Sequence, residues 1–309
     1  MARVLRIATR KSPLALWQAE HVKAALGELY PELKVQLMPM STRGDEILDR
    51  SLAAIGGKGL FLKELERAML AGEADLAVHS MKDVPAELPE GLHIAAVLTR
   101  EDPRDAIVSN QFNSLDELPQ GAVLGTSSLR RQAQMQNLRP DLSIQPARGN
   151  VGTRLQRLDE GNFTAIMLAY AGLKRLGLAD RAKQVLEIDV CLPAVGQGIV
   201  GIECRRDDSE LNKLLARLNN QVSDICLRAE RAFASALQAS CHAPVAAHAV
   251  LEGTQLHLRG LVAMPDGSRI LKGDASGESG KARELGLALA EELIQQGAGD
   301  ILRSLEETG

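Results

Sequence analysis

The chain has 309 residues, 45% of them hydrophobic and only 2% aromatic, and a formal net charge of −4 at pH 7. This length predicts two or three domains with ordinary hydrophobic cores, and no apolar run reaches the ~18 residues that a membrane-spanning helix needs. The acidic balance and the scarcity of aromatic residues disfavour nucleic-acid binding. The N-terminus leads into a strand-like segment without an apolar signal region, so we expect a cytoplasmic protein that does not associate with membranes.

Strand-like runs alternate with helical patterns over the first two-thirds of the chain. VLRIAT (4–9) and KVQLMPM (34–40) predict strands, and SPLALWQAEHVKAALGEL between them predicts a helix with Pro13 in its first turn. FLKELERAMLAGE (61–73) predicts another helix. Further strands are predicted at DLAVHS, HIAAVL, AIVS, AVLGTS, LSIQPA and AIMLAY, and further helices at LRRQAQMQNL and VGTRLQRLDEG. This order favours mainly parallel sheets covered by helices.

The pattern changes in the last ninety residues. A predicted helix, SDICLRAERAFASAL, precedes three strand-like runs, PVAAHAVLEG, TQLHLRGLVAM and SRILKGDAS, and the turn signal PDGS joins the last two. The helix KARELGLALAEELIQQ follows them, so this region predicts a small α+β domain with an antiparallel sheet. The charged segment TREDPRD (99–105) predicts a boundary between two β/α lobes. GIVGIEC (198–204) could return to the first lobe, but its pattern leaves that open.

Arginine-rich polar turns recur after predicted strands. They are TRKS (9–12), STRGD (41–45), GTSSLRR (125–131) and ARGNVGTR (147–154), and the segment 126–158 holds six Arg, no Lys and one acid. Ligands of α/β sheets bind beyond the carboxyl ends of strands, where helix N-termini offer free N–H groups to anions. Arg suits bidentate contacts with carboxylates or phosphates. The four turns together predict a site for a small polyanion, although any one of them could be only a capped helix with a solvated Arg.

VHSMKDVP (78–85) combines Lys82 with Asp83 on a tight turn after a strand. An Asp in a cationic site stays ionised, so it could stabilise a developing positive charge or transfer a proton. The alternative is a surface Lys–Asp pair, with His79 simply packed in the strand. GGKGLF (56–61) lacks the spacing of a phosphate-binding P-loop, and its glycines favour a lid that carries Lys58.

The four cysteines contain no CxxC pair, and the expected cytoplasmic location disfavours disulfides. Cys191, Cys204 and Cys226 lie in apolar patterns typical of buried residues. Cys241 lies in a loop of small residues, ALQASCHAPVA (236–246), and its spacing from nearby His residues matches no common metal site. We therefore expect no metal. Local sequence leaves Cys241 equally open to being an inert thiol or an attachment point.

Ordered segments along nearly the whole chain resemble the porphobilinogen deaminase (hydroxymethylbilane synthase) family. They are LRIATRKSPLALWQA, TRGD, GGKGLF, VHSMKDVP, REDPRDA, GTSSLRRQ, RGNVGTRL, AGLKRLG, LPAVGQG and ERAFASALQASCHAP. The resemblance implies two β/α lobes like those of bivalve periplasmic binding proteins and a small C-terminal α+β domain. It implies a first lobe over residues 1–98 with 199–217, a second over 99–198 and the third domain over 218–309.

The resemblance also implies the activity. The family joins four porphobilinogen molecules head to tail with loss of ammonia, onto a dipyrromethane cofactor held by a thioether, and releases hydroxymethylbilane by hydrolysis. The electrophile left by deamination is attacked by the free α-carbon of the terminal ring. Each pyrrole carries an acetate and a propionate, which matches the arginine-rich turns. A monomer is implied, with no nucleic-acid partner.

The resemblance assigns roles to particular positions. Asp83 matches the catalytic carboxylate, and Lys58 lies on the lid. The matched cofactor-binding residues are Cys241, Lys82, Ser128, Arg130 and Arg131, and the matched substrate-binding residues are Arg10, Ser12, Thr126, Arg148, Arg154 and Arg175.

Three positions depart from the family pattern. Ala54 replaces a second lid lysine, Ala239 stands where Gly is common, and Ala243 stands where a β-branched residue is common. Two other functions fit the residues less well. A non-catalytic two-lobed binding protein for a small polycarboxylate leaves Asp83 and Cys241 without a role, and a nucleic-acid binder conflicts with the acidic balance.

Overall fold

A computed structural model describes residues 4–41, 62–238 and 243–307 of the chain. Its strands are β1 (Val4–Arg10), β2 (Lys34–Met40), β3 (Leu76–Ser80), β4 (Leu92–Val97), β5 (Asp105–Val108), β6 (Val123–Gly125), β7 (Ser143–Gln145), β8 (Ala165–Ala169), β9 (Ala182–Val185), β10 (Val200–Arg205), β11 (Val245–Glu252), β12 (Gln255–Ala263) and β13 (Ile270–Glu278). Its α-helices are α1 (Pro13–Leu29), α2 (Lys63–Leu70), α3 (Leu129–Leu138), α4 (Val151–Asp159), α5 (Tyr170–Arg175), α6 (Ser209–Ala216), α7 (Gln221–Ala236), α8 (Ala282–Gln295) and α9 (Ala298–Glu307).

These elements form two compact units. The first comprises Met1–Glu101 with Gly198–Asp224, and the second comprises Asp102–Gln197 with Ile225–Gly309. The predicted three-domain boundaries stay a prediction. Within the described residues, no helix is long and apolar enough to cross a membrane.

The first unit is built on a five-stranded sheet with the order β2-β1-β3-β10-β4 in the described part of the chain. One face packs on α1 through Leu5, Ile7 and Val22, and the other packs on α2 through Ala8 and Leu65. Alternate residues of β1 point to opposite faces, so one strand supplies both cores. The segment GIVGIEC, whose place the sequence pattern left open, contains most of β10, and β10 lies between β3 and β4.

The prediction of mainly parallel sheets is wrong. β1 pairs in parallel with β2 and β3, but β10 runs antiparallel to both β3 and β4. Parallel neighbours need a crossover connection, usually a helix. β10 instead enters this sheet from a distant part of the chain, so its direction is not set by a βαβ unit.

The second unit contains another mixed sheet, of order β7-β6-β8-β5-β9 among the described residues. β6 is parallel to β7 and β8, whereas β5 is antiparallel to β8 and β9. Ile107 and Met167 pack on one face with Met135 of α3, and Ile166 and Leu168 pack on the other with α4. β6 and β7 are followed by the polar turns that carry predicted binding residues, GTSSLRR and ARGNVGTR.

The second unit also contains the predicted antiparallel sheet of the C-terminal region, in the order β11-β12-β13. Phe233 of α7 and Leu289 of α8 fill its core against Leu258 of β12. The turn signal PDGS does connect β12 to β13, with Gly267 at φ 73°. α9 follows as a further helix that the sequence pattern did not predict.

Candidate active site

A cleft of the first unit brings together residues from the ends of β1 and β3 and the start of α1. It encloses about 420 Å³ of space, part of it open to solvent. Its polar lining comes from Arg10, Ser12, Gln18, His79, Ser80 and Asp83. We call it the Asp83 cleft. Three sequence-predicted residues, Arg10, Ser12 and Asp83, therefore line one cavity although they lie some seventy positions apart in the sequence.

The N-terminus of α1 positions Arg10 and Ser12. Ser12 is the N-cap of α1, where its Oγ accepts a hydrogen bond from Ala15 N at 3.4 Å, and Pro13 takes the first helical position. Thr9 donates its hydroxyl proton to Ala15 O at 3.1 Å, which fixes the strand-to-helix turn from the other side. The free N–H groups and partial positive charge of this helix end favour an anion beside the Arg10 guanidinium.

A single 3-10 turn, Met81–Asp83, carries Lys82 and Asp83 out of β3. Met81 is buried and anchors the turn, while Asp83 is exposed and lines the cleft. A Cβ at Gly201 of the neighbouring strand would lie 2.1 Å from Met81 Sδ, so a larger residue there would require the Met81 side chain to move. The carboxylate of Asp83 is thus held at the cleft by a buried side chain two residues before it.

Two residues of the cleft have hydrogen bonds that local sequence did not indicate. Gln18 on α1 is buried and donates from Nε2 to Ser80 Oγ at 2.8 Å. His79, interpreted from sequence as packed, is buried and also lines the cleft, with Nε2 at 2.8 Å from Glu203 Oε2. The only sequence signal that could have indicated either one is a polar residue within an otherwise apolar helix or strand pattern.

The N-terminus of α3 forms the corresponding turn in the second unit. Ser128 is its N-cap and accepts from Arg131 N at 3.4 Å, and Ser128 N donates to Thr126 Oγ1 at 3.2 Å. Thr126 is buried, and its own N–H bonds to Gln145 O at 2.9 Å. These contacts hold the predicted Ser128 and Thr126 in one turn at the end of β6.

Arg130 and Arg131 lie on the buried side of α3 and share one carboxylate. Arg130 Nη1 donates to Asp105 Oδ2 at 2.8 Å, and Arg131 Nη2 donates to Asp105 Oδ1 at 2.7 Å. The two guanidiniums also donate to Leu192 O and Met167 O. Burial alone would raise the pKa of Asp105, but the two Arg charges and their hydrogen bonds hold it well below its ordinary value. Sequence reasoning predicted both Arg residues and missed Asp105, their common partner.

The other predicted substrate-binding arginines lie elsewhere in the second unit. Arg154 on α4 donates from Nε to Gly149 O at 2.8 Å, and Asn150 caps that helix by accepting from Thr153 N at 3.0 Å. Arg148, half-buried in the turn before α4, forms no hydrogen bond or ion pair within the described parts of the chain. Arg175 is half-buried in the last turn of α5. Arg148 and Arg154 therefore flank one helix N-terminus.

Some predicted residues lie outside the described residues, namely Cys241, Lys58, Ala54 and Ala239. Ala243 is described, and it is half-buried against the core between α7 and the C-terminal sheet. Cys191, Cys204 and Cys226 are buried as predicted. Burial is the main reason why the pKa of Cys191 and that of Cys204 are each raised to about 12, so these two thiols stay protonated.

The described donor set fits a group that carries several carboxylates. Guanidinium groups and capped helix N-termini occur in both units, and hydroxyl groups of Ser12 and Ser128 stand at two of those helix starts. Charge-assisted hydrogen bonds from such groups are roughly twice as strong as neutral ones.

Two family models match the chain. The model described as porphobilinogen deaminase, dipyromethane cofactor binding domain, matches residues 5–213. The model described as porphobilinogen deaminase, C-terminal domain, matches residues 225–295. Together they cover both the turns that line the Asp83 cleft and the C-terminal sheet.

Several solved binding proteins are similar to part of the chain. The periplasmic VFT2 domain of Bordetella pertussis BvgS is 16% identical, with a TM-score of 0.44 over 70% of this chain and 86% of that one. A putative methionine-binding lipoprotein from Bacillus subtilis is 15% identical, with a TM-score of 0.45 over 70% and 89%. A pheromone cOB1 precursor/lipoprotein from Enterococcus faecalis is 14% identical, with a TM-score of 0.47 over 70% and 91%. These TM-scores are all below 0.5, so our description of the fold rests on the observed strand order and not on these similarities.

Proposed function

The chain belongs to the porphobilinogen deaminase family, and on this premise we propose which of its residues carry the reaction. It is a transferase that polymerises porphobilinogen in tetrapyrrole biosynthesis with a dipyrromethane cofactor. The observation that supports the assignment of residues best is the Asp83 cleft, where an exposed carboxylate and the Arg10 guanidinium line the same cavity.

We propose that Asp83 is the catalytic carboxylate. It accepts hydrogen bonds from pyrrole N–H groups and stabilises the positive charge that develops as ammonia leaves. A carboxylate that is already fixed at the cleft stabilises such a charge without reorganising when the charge develops. The bound dipyrromethane supplies the nucleophilic pyrrole carbon to which substrate is added.

The cationic residues bind the acidic side chains of the pyrroles in this proposal. Arg10 and Ser12 in the first unit, and Thr126, Arg148, Arg154 and Arg175 in the second, bind substrate or the growing chain. Lys82, Ser128, Arg130 and Arg131 bind the cofactor, and Lys58 belongs to the lid. Arg130 and Arg131 carry two positive charges against the single charge of Asp105, so their cluster keeps a net positive charge for a carboxylate.

We propose that Cys241 holds the cofactor through a thioether. The three described cysteines are buried, and Cys191 and Cys204 are held protonated, which disfavours attachment at either of them. The test is the intact mass of protein purified from cells that make porphobilinogen. Wild type and the control Cys226→Ser should both carry a dipyrromethane adduct, and Cys241→Ser should carry none. An unmodified wild-type protein that turns over porphobilinogen would overturn the assignment.

The role of Asp83 is tested with the variant Asp83→Ala. The control variant is Glu87→Ala, because Glu87 is an exposed acidic residue four positions after Asp83. Asp83→Ala should keep the adduct mass and lose about 100-fold or more in kcat, as expected for removing an electrostatic stabiliser of the transition state. Glu87→Ala should retain both. Wild-type turnover by Asp83→Ala would show that another group stabilises the cation.

We also propose that the protein is a cytoplasmic monomer without a nucleic-acid partner. Sedimentation of the holoenzyme in the presence and absence of porphobilinogen tests the oligomeric state. A dimer at micromolar concentration would contradict it.

A further inference from the structure

A cluster of buried titratable groups lies behind the Asp83 cleft. It consists of His79 on β3, Glu203 on β10 and Glu66 on α2, and all three side chains are buried. Ionisable groups are seldom buried together without a reason, because taking a charge out of water is costly. The residue roles proposed above do not use any of them.

The strand register explains how His79 meets Glu203. His79 is paired with Gly201, and Glu203 is paired with Ala77, two residues before His79. His79 and Glu203 therefore project from the same face of the sheet on adjacent strands. The result is the 2.8 Å contact between His79 Nε2 and Glu203 Oε2, with Glu203 completely buried.

The second carboxylate oxygen of Glu203 is part of the same cluster. Glu203 Oε1 is buried and has no hydrogen-bond partner among the residues that the structure describes. Glu66 faces this cluster from α2. Burial first, and then the charge of Glu203, raise the pKa of Glu66 to about 7, with smaller opposing effects from His79 and Lys63 and a small further rise from Glu64. Within this cluster, Glu66 therefore holds its proton more tightly than a carboxyl in water does.

His79 connects these buried carboxylates to the cleft. His79 is one of the residues that line the cavity with Asp83, and its Nε2 lies 2.8 Å from Glu203 Oε2. The other ring nitrogen, Nδ1, is the one left to exchange a proton with a ligand. A ring held through one nitrogen by a buried carboxylate, with the other nitrogen available, has the geometry of a general base.

We propose that His79, backed by Glu203, carries the proton of each condensation from the pyrrole α-carbon to the departing ammonia. This inference rests on the proposed role of the Asp83 cleft as the place of condensation. Asp83 stabilises the cation, and His79 handles the proton, so the two groups have separate tasks.

The proton transfers balance without another reagent. The C–N bond of the protonated aminomethyl group (–CH2–NH3+) breaks, its electron pair leaves with ammonia, and a C–C bond forms from the electrons of the free pyrrole α-carbon. The C–H bond at that carbon then breaks, its electrons restore the aromatic ring, and its proton goes to His79 Nδ1. The imidazolium is stabilised by Glu203 until the proton passes to ammonia, which leaves as ammonium.

The first test compares His79→Gln and Glu203→Gln with His93→Gln. His93 is a matched control because it is a histidine of the same sheet, hydrogen-bonded through Nε2 to Asn212 Oδ1 at 2.7 Å, and it is not part of the cleft lining. Each purified holoenzyme is assayed with porphobilinogen and with porphobilinogen deuterated at its free α-carbon. The adduct mass and the circular dichroism spectrum of each variant are recorded first.

We expect His79→Gln to lose about 100-fold in kcat, at the lower end of the usual contribution of general acid–base catalysis. Its deuterium isotope effect should rise above that of wild type, because C–H cleavage becomes slower. Glu203→Gln should show the same two changes in smaller measure, and His93→Gln neither. Three outcomes would each show that His79 and Glu203 have only a structural role. The first is a rate loss without a larger isotope effect, and the second is an equal effect in His93→Gln. The third is that neither His79→Gln nor Glu203→Gln folds.

The second test reads the ring directly. In ¹⁵N-histidine spectra of the holoenzyme, the His79 signals are those lost in His79→Gln. We expect the neutral ring to carry its proton on Nε2, as a donor to Glu203, with Nδ1 unprotonated. A ring protonated on Nδ1 could not accept the α-proton and would overturn the proposal. The adduct mass and the turnover of the wild-type protein test the proposed function independently. If both are as expected but the His79 and Glu203 variants do not show the predicted changes, only the inference about His79 is refuted.

Discussion

The pKa of Glu66 predicts an unusual dependence of stability on pH. Glu66 is 7% exposed, and its pKa is raised from 4.5 to about 7, mainly by burial and secondarily by Glu203. A carboxyl with a raised pKa binds its proton more tightly in the folded state. Its stabilising contribution is therefore complete below pH 4.5 and is lost as the pH rises through 7.

The magnitude follows from the size of that rise. At 1.36 kcal/mol per pKa unit, the rise corresponds to about 3 kcal/mol, and partial solvent screening reduces this to about 2–3 kcal/mol. Glu66→Gln keeps the shape of the side chain and cannot ionise. We expect the variant to match wild type at pH 4.5 and to exceed its unfolding free energy by about 2–3 kcal/mol at pH 8.

Urea unfolding followed by the fluorescence of Trp17 is the appropriate assay. Trp17 is the only tryptophan of the chain and lies on α1, so its emission reports on the first unit. This choice matters because a chain with two compact units need not unfold in one step. Unfolding free energies are measured from pH 4.5 to 8.5 for wild type, Glu66→Gln and Glu73→Gln, an exposed acid just after α2.

The decisive quantity is the difference between Glu66→Gln and wild type at each pH. It should grow with rising pH, whereas the difference for Glu73→Gln should stay within about 0.5 kcal/mol of zero. A Glu66→Gln difference that is constant from pH 4.5 to 8.5 would mean that Glu66 titrates in the folded protein as it does in water.

Two further predictions concern the second unit. Asp105→Asn leaves two buried guanidiniums without their carboxylate, so it should lower the unfolding free energy by about 3–5 kcal/mol. The control Asp141→Asn removes a more exposed ion pair with Arg139 and should lower it by at most about 1 kcal/mol. Equal losses in thermal unfolding would show that burial does not distinguish the pairs. Gly267→Ala should cost about 3 kcal/mol, because the added Cβ would come within 2.5 Å of a backbone nitrogen at a φ of 73°. Gly253→Ala, with a φ of 61° and open space, should cost only about 1–2 kcal/mol, and a similar cost at both turns would contradict the steric argument.

Local sequence predicted most elements that carry the candidate site. The helix after TRKS begins at Pro13 with Ser12 as its cap, and the helix after GTSS begins with Ser128 as its cap. Such starts depend on residues within a few positions of one another, so they are visible in the sequence. The direction of β10 was not visible, because it depends on pairing with strands more than a hundred positions away.

The partners of the candidate residues were likewise beyond local reasoning. Asp105 lies 25 positions before Arg130, and no periodic pattern connects a strand residue to a helix residue at that separation. His79 and Glu203 are 124 positions apart, and each reads alone as a polar residue in an apolar strand. Burial of polar groups is a property of the packed molecule, so it appears only when all neighbouring elements are present.

By itself, the sequence determined most of the strands and helices, the capped turns that carry Arg10 and Ser128, and the family to which the chain belongs. These features rest on short-range spacing and on ordered motifs. Only the tertiary structure decided that Asp83 and His79 line one cleft, that Glu203 lies behind it, and that Arg130 shares a buried carboxylate with its neighbour. The physical reason is that the energy of a charge depends on its distance from other charges and from water, and the fold sets both distances.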